Sequence, residues 1–231
     1  MSVPRAVVFD MDGLMFNTEE VFYLVGVELL RRRGHQYTKA LCDAIMGRPP
    51  RDSFETMIRW HGLQDSWEAL AQESEELFLA LLDGRLAPMP GLLELLDALE
   101  SAGRPKAICT SSSRRLVEGI LSRFAMQPRF AFTLAAEDIV NGKPQPEIYL
   151  KAAERFGIRP AEMAVLEDSQ TGAQAGMAAG ALVVAVPGEH SRNHDFTGAH
   201  LVAQSLADPR LYEMLGLQSP RTSVTGGSPS V

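Results

Sequence analysis

Four short apolar runs punctuate the chain, at residues 5–9, 106–110, 164–167 and 181–186. Apolar residues follow one another in these runs instead of alternating with polar ones, which marks strands buried on both faces. Residues 91–102, 114–124, 146–156 and 171–179 instead carry apolar residues at helical spacing. Strands and helices in alternation predict an α/β fold, a doubly wound parallel sheet with helices on both faces. Ligands of such sheets bind beyond the carboxyl ends of the strands. Three of the expected strand ends are polar or acidic: Asp10, Thr110-Ser111 and Glu167-Asp168.

The stretch from 16 to 87 breaks this rhythm. It is rich in Leu, Glu, Arg and Met, contains no candidate buried strand, and reads as helices at 21–33, 38–46, 53–60 and 67–82. We expect it to be a helical domain (16–87) inserted into an α/β core made of 1–15 and 88–217. Residues 218–231 are rich in Ser, Gly, Pro and Thr and are expected to be disordered.

Composition adds exclusions. The 231 residues are 45% hydrophobic and 22% charged, as in an ordinary globular protein, and the net charge is −7. An acidic chain is a poor partner for nucleic acid or anionic membrane, so an anion site must be built locally. Cys42 and Cys109 lie in apolar surroundings without metal-ligand spacing and are expected to be reduced thiols. No run is long enough to span a bilayer and no signal-peptide core is present, so the expectation is a cytoplasmic protein, monomeric by default.

Asp10-Met11-Asp12-Gly13 follows the first run directly. Two carboxylates separated by one residue at a turn can reach one site, one as nucleophile and metal ligand, the other as general acid and base. Taken alone, the tetrapeptide reads equally well as an exposed Asp-Gly turn. Glu167 and Asp168 end a buried run, where they need a partner; hard oxygen ligands of this kind suit Mg²⁺. Lys143 lies between Gly142 and Pro144, ahead of a helix, in a loop stiffened by two prolines, where a fixed ammonium could neutralise carboxylates and hold a phosphate. No Walker pattern surrounds it. The hydroxyls of Thr110, Ser111, Ser112 and Ser113 open a helix and could form an anion site. Gly172, Gly176 and Gly180 recur every four residues and are expected to let a helix approach the sheet. His190 and His194 read as surface residues.

Taken in order, Phe9-Asp-Met-Asp-Gly-Leu14, the Thr110 strand end, Gly142-Lys-Pro-Gln-Pro-Glu147 and Val165-Leu-Glu-Asp-Ser169 resemble the haloacid dehalogenase superfamily over nearly the whole chain. The stretch 16–87 resembles the α-helical cap of its subgroup containing phosphoglycolate phosphatase, β-phosphoglucomutase, sugar-phosphate phosphatases and pseudouridine-5′-phosphatase. The resemblance implies a Mg²⁺-dependent phosphatase acting on a small phosphorylated metabolite. It makes Asp10 the nucleophile that becomes an aspartyl-phosphate, and Asp12 the acid and base whose carbonyl also binds metal. Asp168 completes the metal ligands, with Glu167 beside it. Lys143 bridges nucleophile and phosphoryl group, and either Thr110 or Ser111 binds the phosphoryl oxygens, with Ser112 near. Arg48 and Arg51, in a Pro-bounded turn of the cap, are candidates to reach the substrate. Position 17 departs from the family pattern, with Asn in place of Asp, which bears on substrate contacts or the hinge.

Three alternatives stand beside the phosphatase. A sugar phosphomutase of this subgroup carries a His early in the first cap helix, where this chain has Phe22. A dehalogenase would not need an acid and base at Asp12. A non-catalytic binding protein would have no reason to keep all the motif residues.

Overall fold

The computed structural model describes residues 3–45 and 50–219. The chain opens with β1 (Ala6–Phe9) and continues through four helices, α1 (Thr18–Arg31), α2 (Lys39–Ile45), α3 (Pro50–His61) and α4 (Trp67–Leu81). There follow α5 (Leu92–Ser101), β2 (Lys106–Cys109), α6 (Arg114–Arg123), β3 (Thr133–Leu134) and α7 (Glu147–Phe156). The chain closes with β4 (Met163–Glu167), α8 (Gln170–Ala178), β5 (Leu182–Ala185), β6 (Leu201–Val202) and α9 (Pro209–Met214).

The strands form one parallel sheet in the order β3-β2-β1-β4-β5-β6. β1 is therefore central, with Phe9 in register with Ile108 of β2 and Leu166 of β4. The order reverses at β1, so the crevice beyond its carboxyl end is the switch point where ligands bind. Successive side chains go to opposite faces. Val7, Phe9, Ile108, Leu166 and Val184 pack into one apolar cluster, while Val8, Ala107, Cys109, Val165 and Val183 pack into a second. Both faces are dry, which is why the sequence runs are continuously apolar. Each Val, Leu, Ile or Phe side chain among them, fully buried, contributes roughly 1.5–3 kcal/mol.

The first cluster does not stop at the sheet. It runs through Met15 and Phe16 into Val21, Val25 and Leu29 of α1 and Leu70 and Phe78 of α4. The segment leaving β1 and the segment returning to α5 meet as a bridge between Phe16 and Pro88. Asn17 fastens this crossing: its Oδ1 accepts from the Ala87 N–H at 2.6 Å and its Nδ2 donates to the Arg85 carbonyl at 3.1 Å. Although Asn17 stands at the N-cap position of α1, its side chain caps nothing there. These hydrogen bonds lie where the segment leaving β1 crosses the segment returning to α5.

Cys42 and Cys109 are both free, Cys109 buried and Cys42 half-buried. Among the described residues, no helix is long and apolar enough to cross a membrane. Of the stretch expected to be disordered, residues 220–231 lie outside the described residues, as does Arg48.

Candidate active site

β1, β2 and β4 end side by side, and the residues just past them converge. Asp10 and Asp168 are 6% and 7% exposed, and Glu167 and Thr110 are fully buried. Lys143 reaches in from the loop before α7, its side chain only 6% exposed. Its Nζ donates to Asp10 Oδ1 at 2.5 Å, to Glu167 Oε1 at 2.6 Å and to the Cys109 carbonyl at 3.1 Å. One ammonium thus ties the ends of all three strands together.

Burial would lower the pKa of Lys143, but Asp10 and Glu167 outweigh it and hold the amine well above its ordinary value. Asp10 is pushed up to about 8, by burial first; Lys143 opposes this, while Glu167 and Asp12 add to it. Asp168 is also raised, by burial and then by the charges of Asp10 and Glu167. A single ammonium does not balance this much buried negative charge.

The carboxylates differ in how they are held. Glu167 Oε1 accepts from Lys143 and from the Tyr149 hydroxyl, and Oε2 accepts from Ser169 at 3.1 Å. Asp168 makes no side-chain hydrogen bond among the described residues. Carboxylate oxygens of Asp10, Glu167 and Asp168 lie within 4.8 Å of one another. Hard oxygen donors, close together and short of positive charge, fit a divalent cation such as Mg²⁺. Asp10 and Asp168 have the freer oxygens, since both oxygens of Glu167 are engaged.

Asp12 stands across the opening. Its Oδ2 accepts from Thr110 Oγ1 at 3.0 Å and from Ser112 Oγ at 2.7 Å, while its buried Oδ1 has no partner. The Ser112 N–H donates to Thr110 Oγ1 at 3.0 Å, which fixes that hydroxyl. Ser111 is exposed and makes no such bond, so the structure brings Thr110 and Ser112 to Asp12 and leaves Ser111 outside. Ser113 caps α6 by accepting from the Leu116 N–H.

Two glycines give the carboxylates room. Gly13 has φ +73°, and a Cβ there would lie 2.5 Å from Asp168 Oδ2. At Gly172 a Cβ would lie 1.9 Å from Glu167 Oε1, and at Gly176 2.8 Å from Val183. These two glycines provide the expected close approach of helix to sheet. Gly180 does not, since a Cβ there would meet nothing within 4 Å.

The remaining residues named from sequence fall elsewhere. Arg51 stays at the surface in the first turn of α3, paired with Glu55 at 2.8 Å and lying over the Trp67 ring. Phe22 packs on Phe78, with ring centroids 4.4 Å apart. His194 is not a plain surface residue: its Nδ1 accepts from the Gln170 N–H at the start of α8. His190 is exposed but lines a cavity beside Glu19 and Asp168. Burial raises the Glu19 carboxyl, an effect that His190 opposes. Tyr149 and Glu19 escape a reading of the sequence. Tyr149 has the helical spacing of a core aromatic, and Glu19 that of an ordinary first-turn acid.

Residues 7–186 match the family model described as haloacid dehalogenase-like hydrolase. With that span, fold and cluster, the chain belongs to the haloacid dehalogenase-like hydrolase family. It is 32% identical over 206 residues to a bifunctional riboflavin kinase/FMN phosphatase of Arabidopsis thaliana, covering 89% of this chain but 54% of that one. The chain thus spans about half the length of that relative. A phosphorylated carbohydrates phosphatase of Thermotoga maritima is 31% identical over 176 residues, 76% of this chain and 82% of that one. The crystal structure of CbbY from Rhodobacter sphaeroides in complex with phosphate superimposes with a TM-score of 0.80 at 26% identity, covering 89% and 96% of the two chains.

Proposed function

We propose that the chain is a Mg²⁺-dependent phosphatase of small phosphomonoesters, working through an aspartyl-phosphate on Asp10, with the helices α1–α4 as its cap. The observation that carries this reading is the arrangement around Asp10. This buried carboxylate has one oxygen held by Lys143 at 2.5 Å and stands near a second acid, Asp12, that has a free oxygen. The phosphatases among its relatives support the same activity.

Asp10 attacks phosphorus as the bond to the leaving oxygen breaks. Lys143 favours the ionised form of Asp10 against its burial and faces the transferring phosphoryl group. Thr110 and Ser112 occupy Oδ2 of Asp12, so the proton it carries sits on Oδ1 and passes from there to the leaving alcohol. Asp12 then takes a proton from the water that attacks the acyl-phosphate, regenerating Asp10 and releasing inorganic phosphate. Asp10 and Asp168, with the Asp12 carbonyl, would hold Mg²⁺; when bound, it supplies positive charge for the phosphoryl oxygens. Glu167, with both oxygens engaged, positions Lys143.

The mutase alternative lacks support here, since Phe22 packs in an apolar cluster and offers no titratable group. Incubation with β-glucose 1-phosphate separates the two, free phosphate marking a phosphatase and glucose 6-phosphate a mutase. The main test is a phosphomonoester panel that includes p-nitrophenyl phosphate, run with Mg²⁺, on wild type and Asp10→Asn. We expect turnover by wild type and none by the variant. A metal-replete wild type inert on the whole panel would sink the assignment.

A further inference from the structure

Glu147 is the first residue of α7, a few positions after the lysine that grips Asp10. An acid there ordinarily complements the positive end of its own helix. This one turns back along the chain instead. Its Oε1 accepts from the Val140 N–H at 3.0 Å, and its Oε2 accepts from the Asn141 N–H at 2.8 Å and from Asn141 Nδ2 at 3.1 Å. Lys151, one turn along α7, adds a bond to Oε1 at 2.8 Å. The Lys151 bond first, and then the two backbone bonds, bring the Glu147 carboxyl down to about 2, so it stays ionised through the neutral range.

These bonds close a loop whose own packing is slight. Val140 is 89% exposed, and Asn141, Gly142, Pro144 and Gln145 are exposed as well. Lys143 goes inward from this loop, to Asp10, Glu167 and the Cys109 carbonyl. A lysine has a flexible four-carbon stem, so the backbone that carries it decides where its ammonium rests. Upstream the chain is already fixed to the other side of the site, since the Ala136 N–H donates to the Ser112 carbonyl at 3.0 Å. Glu147 takes up the slack between that anchor and Lys143.

Resting on the phosphatase reading, we propose that Glu147 is a positioning residue for the reaction: by fastening Val140 and Asn141 to α7, it holds the Lys143 ammonium on Asp10. Hydrogen bonds to a charged acceptor are the stronger kind, and two of these come from the backbone itself. A merely structural role would rest on the pair with Lys151, whose side chain is 40% exposed, and exposed pairs contribute little. The two roles part at Lys151. Its removal breaks the pair and leaves the loop bonds in place.

The test measures kcat on p-nitrophenyl phosphate at saturating Mg²⁺ for wild type, Glu147→Ala, Glu147→Gln and Lys151→Met. A catalytic group displaced by about 1 Å can lose about 100-fold in rate. We expect Glu147→Ala to lower kcat at least about 10-fold. Lys151→Met should lower it less than about 5-fold. Glu147→Gln keeps the size of the side chain and one acceptor oxygen; it should fall between wild type and Glu147→Ala, and it replaces that variant if alanine prevents folding. A second readout needs no turnover. A buried, fully bonded ammonium is protected from exchange, so NMR of protein carrying isotope-labelled lysine should show a Lys143 Nζ signal that is absent from Lys143→Met. That signal should be lost in Glu147→Ala and persist in Lys151→Met. A kcat for Glu147→Ala within about 5-fold of wild type, an equal loss in Lys151→Met, or an unchanged Nζ signal in Glu147→Ala would overturn the proposal and leave the phosphatase reading standing. A wild type inert on the whole phosphomonoester panel would instead remove the phosphatase reading, and the Nζ signal would still decide whether Glu147 holds Lys143.

Discussion

The Tyr149 hydroxyl donates to Glu167 Oε1, the same oxygen that receives the Lys143 ammonium at 2.6 Å. Tyr149 is fully buried, and its ring lies beneath that ammonium, with Nζ 5.3 Å from the ring centroid. A side chain from α7 thus sets the carboxylate that sets the lysine. Tyr149→Phe keeps the ring and removes the donor, leaving a buried carboxylate short of one bond. We expect a loss of about 2 kcal/mol in urea unfolding. A loss below about 0.5 kcal/mol would show that the bond contributes little beyond what water supplies in the unfolded chain.

Gly172→Ala should be among the most damaging small substitutions. The added methyl carbon would lie 1.9 Å from Glu167 Oε1, and Lys143, Tyr149 and Ser169 leave that carboxylate nowhere to go. We expect about 3 kcal/mol of destabilisation. Gly180→Ala, whose Cβ would meet nothing, is the control for crowding; its positive φ alone should cost about 1 kcal/mol.

Ser111 and Ser112 are neighbours with opposite expectations. Ser112→Ala removes a 2.7 Å hydrogen bond to Asp12 Oδ2 and should lower kcat about 10-fold, about the value of one hydrogen bond. Ser111→Ala should change kcat less than about 2-fold. Steady-state kinetics on p-nitrophenyl phosphate reads both, and equal effects would contradict the assignment of Thr110 and Ser112 to Asp12.

Asn17→Asp tests the crossing of the segment that leaves β1 with the one that returns to α5. The carboxylate still accepts from the Ala87 N–H but cannot donate to the Arg85 carbonyl, and it faces Glu20, to which the amide now donates at 3.2 Å. We expect about 1 kcal/mol of destabilisation near neutral pH, shrinking as the medium becomes acidic enough to protonate the new group. An unchanged melting temperature at neutral pH would show that Asn17 does not hold this crossing together.

Divalent metal should stabilise the protein in a pH-dependent way. The Asp10 carboxyl is raised from 3.8 to about 8 by burial, Lys143 opposing and Glu167 and Asp12 adding to the effect. In metal-free protein this group contributes stability that is complete below about pH 4 and lost as pH rises through about 8. Metal binds the ionised carboxylate, so the increment in melting temperature caused by Mg²⁺ over EDTA should grow across that window. Calorimetry at about pH 6 and about pH 8.5 measures it. A larger increment at the lower pH would contradict the metal assignment of Asp10.

The fold was legible wherever burial was symmetrical. β1, β2, β4 and β5 have dry faces on both sides and stand out as apolar runs, whereas β3 and β6 have only two residues each at the sheet edges and leave no periodic trace. Asp10, Lys143, Glu167 and Asp168 were legible because charge at the end of a buried strand, or fixed between prolines, demands an explanation. Thr110 was not separable from Ser111, since the choice depends on which hydroxyl turns toward Asp12. The Asn17–Ala87 bond joins positions 70 residues apart, and the cavity wall joins α1 to a loop beyond β5, so no local pattern announces either.

The central place of β1 governs when activity can exist during synthesis. Asp10 leaves the ribosome before the lysine that holds it, which comes 133 residues later, and β4, which covers the other edge of its strand, follows later still. A chain interrupted before β4 has β1 with a raw edge and Asp10 without its neighbouring acids. Such nascent chains offer an unpaired apolar strand to any other strand nearby, so this topology exposes the growing polypeptide to mispairing until β4 is made. The same delay keeps an incomplete chain from assembling the site of hydrolysis.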